Sequence, residues 1–146
     1  MRVLALALVS ALVWPPWQTV AQGSPLSDGK PRPSAAAFVA GTPAGTSRFT
    51  GFLLPADATA VRRADFRSKV IVAAILSAPT PCYKTEIVGL RRARKTLIVT
   101  AARHEPPPGT VCILTLGWPY HVIAVPRTII GRPLPKKIIL RIERRR

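Results

Sequence analysis

Short apolar segments separated by turn residues occupy most of the chain after residue 46, and their pattern is that of strands. Val70–Leu76 (VIVAAIL) is continuous enough for a central strand buried on both faces. Residues 137–143 alternate apolar and polar side chains, which is typical of a half-buried strand. Further strands are predicted at 48–54, 83–90, 96–102, 111–116 and 120–125.

A short helix fits only residues 57–65. Together these elements predict one all-β domain over residues 46–146, mainly antiparallel and built as a small sandwich or open barrel with at most one short helix. The segment that joins the strands at 83–90 and 96–102 is strongly basic. Its charges would be costly to bury, so it is predicted as an exposed hairpin tip and as a candidate basic patch. The patch consists of Arg91, Arg92, Arg94 and Lys95.

Residues 1–21 have the features of a secretory signal peptide. Arg2 precedes the apolar run Val3–Trp14, two prolines end that run, and Thr19 and Ala21 are small residues suited to a cut after Ala21. The other interpretation is a buried N-terminal helix of a cytosolic protein. A cleaved leader predicts a secreted or periplasmic protein without a transmembrane segment, because no later apolar run reaches the about 20 residues that cross a bilayer.

Residues 22–45 differ in composition from the rest of the chain. Of these 24 residues, 16 are Gly, Pro, Ser or Ala. Such a segment buries little apolar surface, so it is predicted as a flexible tether between the leader and the domain.

The cysteines are Cys82 and Cys112, each at the start of a predicted strand. Two free buried thiols and a shared metal site are the alternatives to a bond between them. Export into an oxidising compartment favours a structural disulfide, and no nearby pair of histidines would complete a zinc site.

The charge of +16, from 22 Lys and Arg against 6 Asp and Glu, predicts attraction to polyanions. Export argues against nucleic acid as the partner, and anionic envelope polymers, lipid headgroups or an acidic protein surface fit better. The alternative is that the arginines reflect a composition bias of the host proteome. Besides the basic patch, the cations concentrate near the C-terminus, at Lys136, Lys137, Arg141 and residues 144–146.

Residues with catalytic potential are few. His104-Glu105 lacks the helical spacing of a metalloprotease motif and is followed by three prolines. His121 is expected to be a structural histidine on the strand face shared with Ile123 and Val125. No serine stands in a nucleophile-elbow motif. The sequence therefore predicts no catalytic residue, no metal ligand and no cofactor.

The densest aromatic cluster is Trp118-Pro119-Tyr120. It is either part of the core at a strand bend or, with Tyr83, a partner-binding patch, since Trp and Tyr are frequent at interaction hot spots.

Several segments, in their order along the chain, resemble the C-terminal domain of the protease complex subunit PrcB family. Asp65-Phe66 precedes a hydrophobic strand, a turn before Tyr83 opens the next strand, and a Pro-Tyr stretch ends at Val125-Pro126. The resemblance covers roughly residues 60–128, and the segments concerned are 64–72, 79–87, 97–100, 106–109 and 118–126. Where the family has two glycines before the tyrosine, this chain has Pro81 and Cys82.

The resemblance implies an exported, non-catalytic, β-rich domain that associates with a secreted or envelope protein, which for the named subunit is an extracellular protease. One alternative is a β-sandwich protease inhibitor, in which the loops at 79–83, at 105–109 and around Trp118 form a wedge. Another is a basic protein that binds polyanions or the envelope through charge alone.

Overall fold

Two β-sheets packed face to face form the protein in the computed structural model, which describes residues 15–145. The strands are β1 (Gln18–Gly23), β2 (Ala35–Ala40), β3 (Lys69–Leu76), β4 (Lys84–Ala93), β5 (Thr96–His104), β6 (Tyr120–Pro126) and β7 (Lys137–Arg145). The helices are α1 (Ser47–Thr50), α2 (Pro55–Arg62) and α3 (Arg127–Ile130), with a 3-10 helix at Ala44–Thr46. The predicted all-β sandwich is confirmed, although it has more short helices than the one expected.

The first sheet has the order β1-β6-β3-β2, and all its neighbouring strands are antiparallel. The second sheet has the order β4-β5-β7. Its β4–β5 hairpin is antiparallel, with the turn at Arg94-Lys95, whereas β7 runs parallel to β5. The basic segment is therefore the hairpin tip that the sequence predicts.

Strand β3 is buried on both faces, as its continuous apolar sequence predicts. Val72 and Leu76 pack in the core between the two sheets. Ile71 and Ile75, which point the other way, pack in a second core under the helices. Each of these residues is fully buried, so β3 links the two cores.

The strand expected at 48–54 is wrong, because this segment forms α1 and the turn that follows. Phe49 and Leu53, four residues apart, are both buried against the outer face of the first sheet. Helix α2 begins at Pro55, where the missing amide proton of proline removes no helical hydrogen bond. It buries Ala58 and Val61 on the same face of the sheet, within the region where the sequence allows a helix.

The tether expected at 22–45 is replaced in part by regular structure. β2 pairs with β3 along its whole length, and Val39 and Ala40 are buried. Small alanine side chains fit this position because backbone hydrogen bonds to β3, rather than large apolar side chains, hold the edge strand in place. The folded domain thus begins before residue 46.

Residues 1–14, most of the expected leader, lie outside the described part of the chain. The rest of that leader is in the fold. Trp17 is 8% exposed in the core between the sheets, and Ala21 is 4% exposed in the second core. The expected cut after Ala21 lies inside β1, so cleavage there would remove most of an edge strand paired with β6.

The strand expected at 111–116 is also wrong: these residues form an irregular loop. In β7, Ile138 and Leu140 pack against the core as the alternation predicts. The same alternation would place Ile142 inward, but this residue is 44% exposed. Within residues 15–145, the helices are too short and polar to cross a membrane.

Candidate binding surface

The loop between β5 and β6 exposes an unusual number of aliphatic side chains. We call residues 111–116 the apolar loop. In it, Val111 is 96% exposed, Ile113 64%, Leu114 93% and Leu116 55%. Single exposed aliphatic residues are ordinary, but several in one segment are typical of an interaction site.

The apolar loop is anchored at both ends. Cys82 and Cys112 form the predicted disulfide, with a Cα–Cα distance of 6.1 Å. At the other end, Gly117 makes backbone bridges with Leu26 and Ala78. The position requires glycine, because a Cβ atom there would lie 2.7 Å from the Cα atom of Pro81. The loop is therefore held against the turn at 79–83.

The loops named in the wedge hypothesis have contacts with the turn at 79–83, since Glu105 lines a cavity together with Pro79 and Tyr83. Cys82 joins the turn at 79–83 to the apolar loop, and Gly117 fixes the segment before Trp118 to the same turn. Leu26, which is 47% exposed, lies beside Gly117 and extends the apolar surface. This end is formed by loops on a rigid sandwich, the usual arrangement of recognition surfaces.

The aromatic cluster divides between core and surface. Tyr120 is fully buried, donates a hydrogen bond to the Asp57 carboxylate and accepts one from the Leu54 amide, 3.1 Å away. Burial, and then the Asp57 carboxylate, raise the pKa of Tyr120. Pro119 is buried as well. Tyr120 and Pro119 therefore cannot contact a partner, which corrects that part of the sequence hypothesis.

Trp118 is half-buried, and its ring lies 5.3 Å from the Cζ atom of Arg32. Arg32 is held in turn by Asp28, at 2.8 Å. Tyr83 is half-buried beside the disulfide and lines a shallow cavity of about 220 Å³ with Pro79, Arg103, Glu105 and Arg144. Of the four candidate contact residues, Trp118 and Tyr83 stay at the edge of the exposed surface.

The basic patch lies at the opposite end of the second sheet. Strand β5 has 9 residues and separates it from the apolar loop by about 27 Å. Arg91, Arg94 and Lys95 are exposed, but Arg92 is structural, since it donates to the carbonyl oxygens of Arg94 and Ile130 at 2.7 and 2.8 Å. Because β7 is parallel to β5, the C-terminal cations divide between the two ends, with Lys137 beside Thr96 and Arg145 beside His104.

His121 has the structural role that its position predicts. It is 4% exposed and points between the sheets, where its Nδ1 accepts a hydrogen bond from the Ile87 amide at 2.8 Å. Its Nε2 therefore carries the proton and donates to Thr19 Oγ1 at 2.8 Å. Burial lowers the pKa of His121 to about 4, so the ring is neutral at pH 7.

His104 lies 3.7 Å from Glu86 and belongs to no group of three potential metal ligands within residues 15–145. The sequence reasoning missed the apolar loop because its residues resemble a strand. The triple proline before it and the cysteine inside it were the signals against regular pairing.

No protein-family description, curated protein or solved structure matches this chain.

Proposed function

We propose that this is an exported, non-catalytic domain that binds another protein through the apolar loop. The observation that carries the proposal is the exposure of four aliphatic side chains in a loop anchored by a disulfide and by Gly117. A surface that is pre-ordered in this way loses little conformational entropy on binding. The disulfide is compatible with an oxidising compartment outside the cytoplasm.

The charge distribution favours recognition through apolar contacts at this end. The cations Lys84, Arg103, Arg144 and Arg145 lie here, but so do Glu86, Glu105 and Glu143. The two signs nearly balance, whereas the hairpin end is strongly cationic. We expect a partner with a matching apolar groove, and the PrcB resemblance suggests an extracellular protease as its class.

Inhibition of a protease is the second candidate function, and it is supported by the closeness of the turn at 79–83 to Gly117 and to Glu105. Kinetics separate the two functions. An accessory subunit leaves peptide hydrolysis by the purified partner unchanged or increases it, whereas an inhibitor at excess abolishes it.

The test of the proposed function is capture from the secreted and envelope fractions at 0.3 M salt, a condition chosen because screening is strong there, with a Debye length of about 5 Å. The captured protein is then purified and titrated against Val111→Ser/Leu114→Ser. The matched control is Ile129→Ser/Ile139→Ser, the same change at residues that are 44% and 37% exposed elsewhere. We expect the loop variant to bind at least about tenfold more weakly and the control to bind normally.

Equal affinity of the loop variant would overturn the proposal. Arg91, Arg94 and Lys95 are exposed and can be neutralised without disturbing the structural Arg92. Loss of all binding in that variant, together with competition by heparin-like polymers, would favour the polyanion alternative instead.

A further inference from the structure

A cavity of about 530 Å³ lies at the basic end of the molecule, far from the apolar loop. It is an open cavity lined by α3, the turn after α2 and the segment that follows α3. Its apolar lining is Phe66, Pro133 and Leu134, and its charged lining is Arg67, Arg127 and Arg132. The volume is within the range of small-molecule sites.

Arg127 is fixed in place at this cavity by backbone carbonyl groups. Its Nε donates to the Phe66 oxygen at 3.0 Å, and its Nη2 donates to the Phe66 and Gly41 oxygens at 2.7 and 2.6 Å. Among residues 15–145, Nη1 has no hydrogen-bond partner. The guanidinium is thus oriented before any ligand arrives, with one nitrogen left to donate.

No carboxylate lines the cavity beside its three arginines. Within the described part of the chain, no ion pair involves Arg67, Arg127 or Arg132. The nearest acidic residue in sequence, Asp65, accepts hydrogen bonds from the Ser68 hydroxyl and the Arg67 amide. Its carboxylate also interacts electrostatically with Arg67, but it does not line the cavity. Arg67 and Arg132 are exposed, but Arg127 is partly buried, and a partly buried cation without an ion-pair partner favours a bound anion.

Further cations near the cavity increase its preference for an anion. Arg92 donates to Ile130 and lies 3.5 Å from the Cβ position of Gly131, which is in the cavity wall. The Lys136 and Lys137 amides bind the Lys95 carbonyl oxygen, so their side chains belong to the same end. Guanidinium groups are suited to planar, bidentate binding of carboxylates and phosphates.

We infer that this cavity is a binding site for an anionic group, carboxylate or phosphate ester, that is attached to an apolar body. The anion binds Arg127 together with the rim arginines Arg67 and Arg132. The apolar body lies against Phe66 and Leu134. The site is independent of the apolar loop, so either can fail without the other.

Calorimetric titration of the whole folded chain tests this site with four probes: octanoate, octyl phosphate, octanol and inorganic phosphate. We expect at least one of the two amphiphilic anions to bind tenfold or more tightly than both octanol and inorganic phosphate. A preference for octyl phosphate indicates a phosphate ester as the natural ligand, and a preference for octanoate indicates a fatty acid or a peptide carboxyl terminus.

Arg67→Gln/Arg132→Gln removes the rim charges and leaves the structural contacts of Arg127 intact, and it is expected to weaken binding tenfold or more. Arg144→Gln/Arg145→Gln removes the same charge at the other end of β7 and is expected to leave affinity unchanged. Arg127→Lys, checked for folding by circular dichroism, is expected to lose binding because lysine lacks the fork of donors. Equal binding of octanol, or equal weakening by both double variants, would overturn the assignment.

Discussion

Val70–Leu76 and Val111–Leu116 have almost the same kind of sequence and opposite positions in the fold. The first segment is the centre of a sheet, and every one of its side chains is fully buried. The second is a loop in which Val111 and Leu114 are more than nine-tenths exposed. Apolar composition alone therefore does not determine burial. What differs is whether neighbouring strands are available for pairing, and the apolar loop has a prolyl segment and a disulfide in their place.

The two segments are expected to differ most in the stability that is lost when a charged side chain is introduced. Val72→Asp places a carboxylate between the sheets and is expected to cost more than about 4 kcal/mol, enough to unfold the chain. Leu114→Asp places the same group in water and is expected to change stability by less than about 0.5 kcal/mol. Urea unfolding measures both. A loss above about 1 kcal/mol for Leu114→Asp would mean that the loop is part of the core.

The disulfide bears on the same comparison, because it anchors the exposed segment and neither of its cysteines lies in β3. The cysteines are 30 residues apart. For a loop of this length, the chain-entropy relation predicts that the reduced protein, or the Cys82→Ser/Cys112→Ser protein, has an unfolding free energy lower by about 3.7 kcal/mol. We expect faster amide exchange at 110–117 while the β3 amides stay protected. Two alkylatable thiols in the untreated protein would show that Cys82 and Cys112 are not bonded.

The N-terminal strand tests a third segment, one that sequence patterns place in a leader and the structure places in the core. A chain starting at Gln22 lacks the buried Trp17 side chain and most of the β1 pairing. Its free energy of unfolding is expected to be about 3 kcal/mol lower than that of a chain starting at Pro15. Equal stability of the two chains would support the predicted cut after Ala21. Mass spectrometry of the exported protein then identifies the actual first residue.

The pH dependence of stability tests the contact between the sheets at His121. The pKa of this ring is about 4 in the fold, below its ordinary value of about 6.5 in the unfolded chain, so unfolding takes up a proton below pH 6.5. The contribution of the neutral His121 ring to the free energy of unfolding is fully present above pH 6.5 and is lost as the pH falls toward 4. The loss between pH 7 and pH 5 is about 2 kcal/mol. Thermal melts check this, and His121→Gln is expected to be less sensitive over this interval. An unchanged profile in that variant would contradict the assignment.

The sequence predicted the parts of the fold in which local pattern and tertiary position agree. Strand β3, the β4–β5 hairpin with its basic tip, β6 and the disulfide all follow from apolar runs, alternation and cysteine positions. The edge strands β1 and β2 could not be predicted in this way. Their small residues carry no strong period, and pairing with β6 and β3 defines them.

The candidate site was predicted less well. Tyr120 was a candidate contact because Tyr is common at interfaces, yet its hydroxyl is used by Asp57 and Leu54 inside the fold. The apolar loop was assigned to a strand because period and composition do not reveal whether a partner strand is near. The turn at 79–83 and the segment before Trp118 lie together because Gly117 packs against Pro81, and the disulfide links that turn to the apolar loop.

The most direct test of the account is the effect of one side chain on two properties. Leu114→Ser removes an aliphatic group that is exposed and, by this account, used only for binding. We predict an unfolding free energy within about 0.5 kcal/mol of the parent chain and, for the purified partner, a dissociation constant raised about tenfold or more. An unchanged dissociation constant would contradict the account.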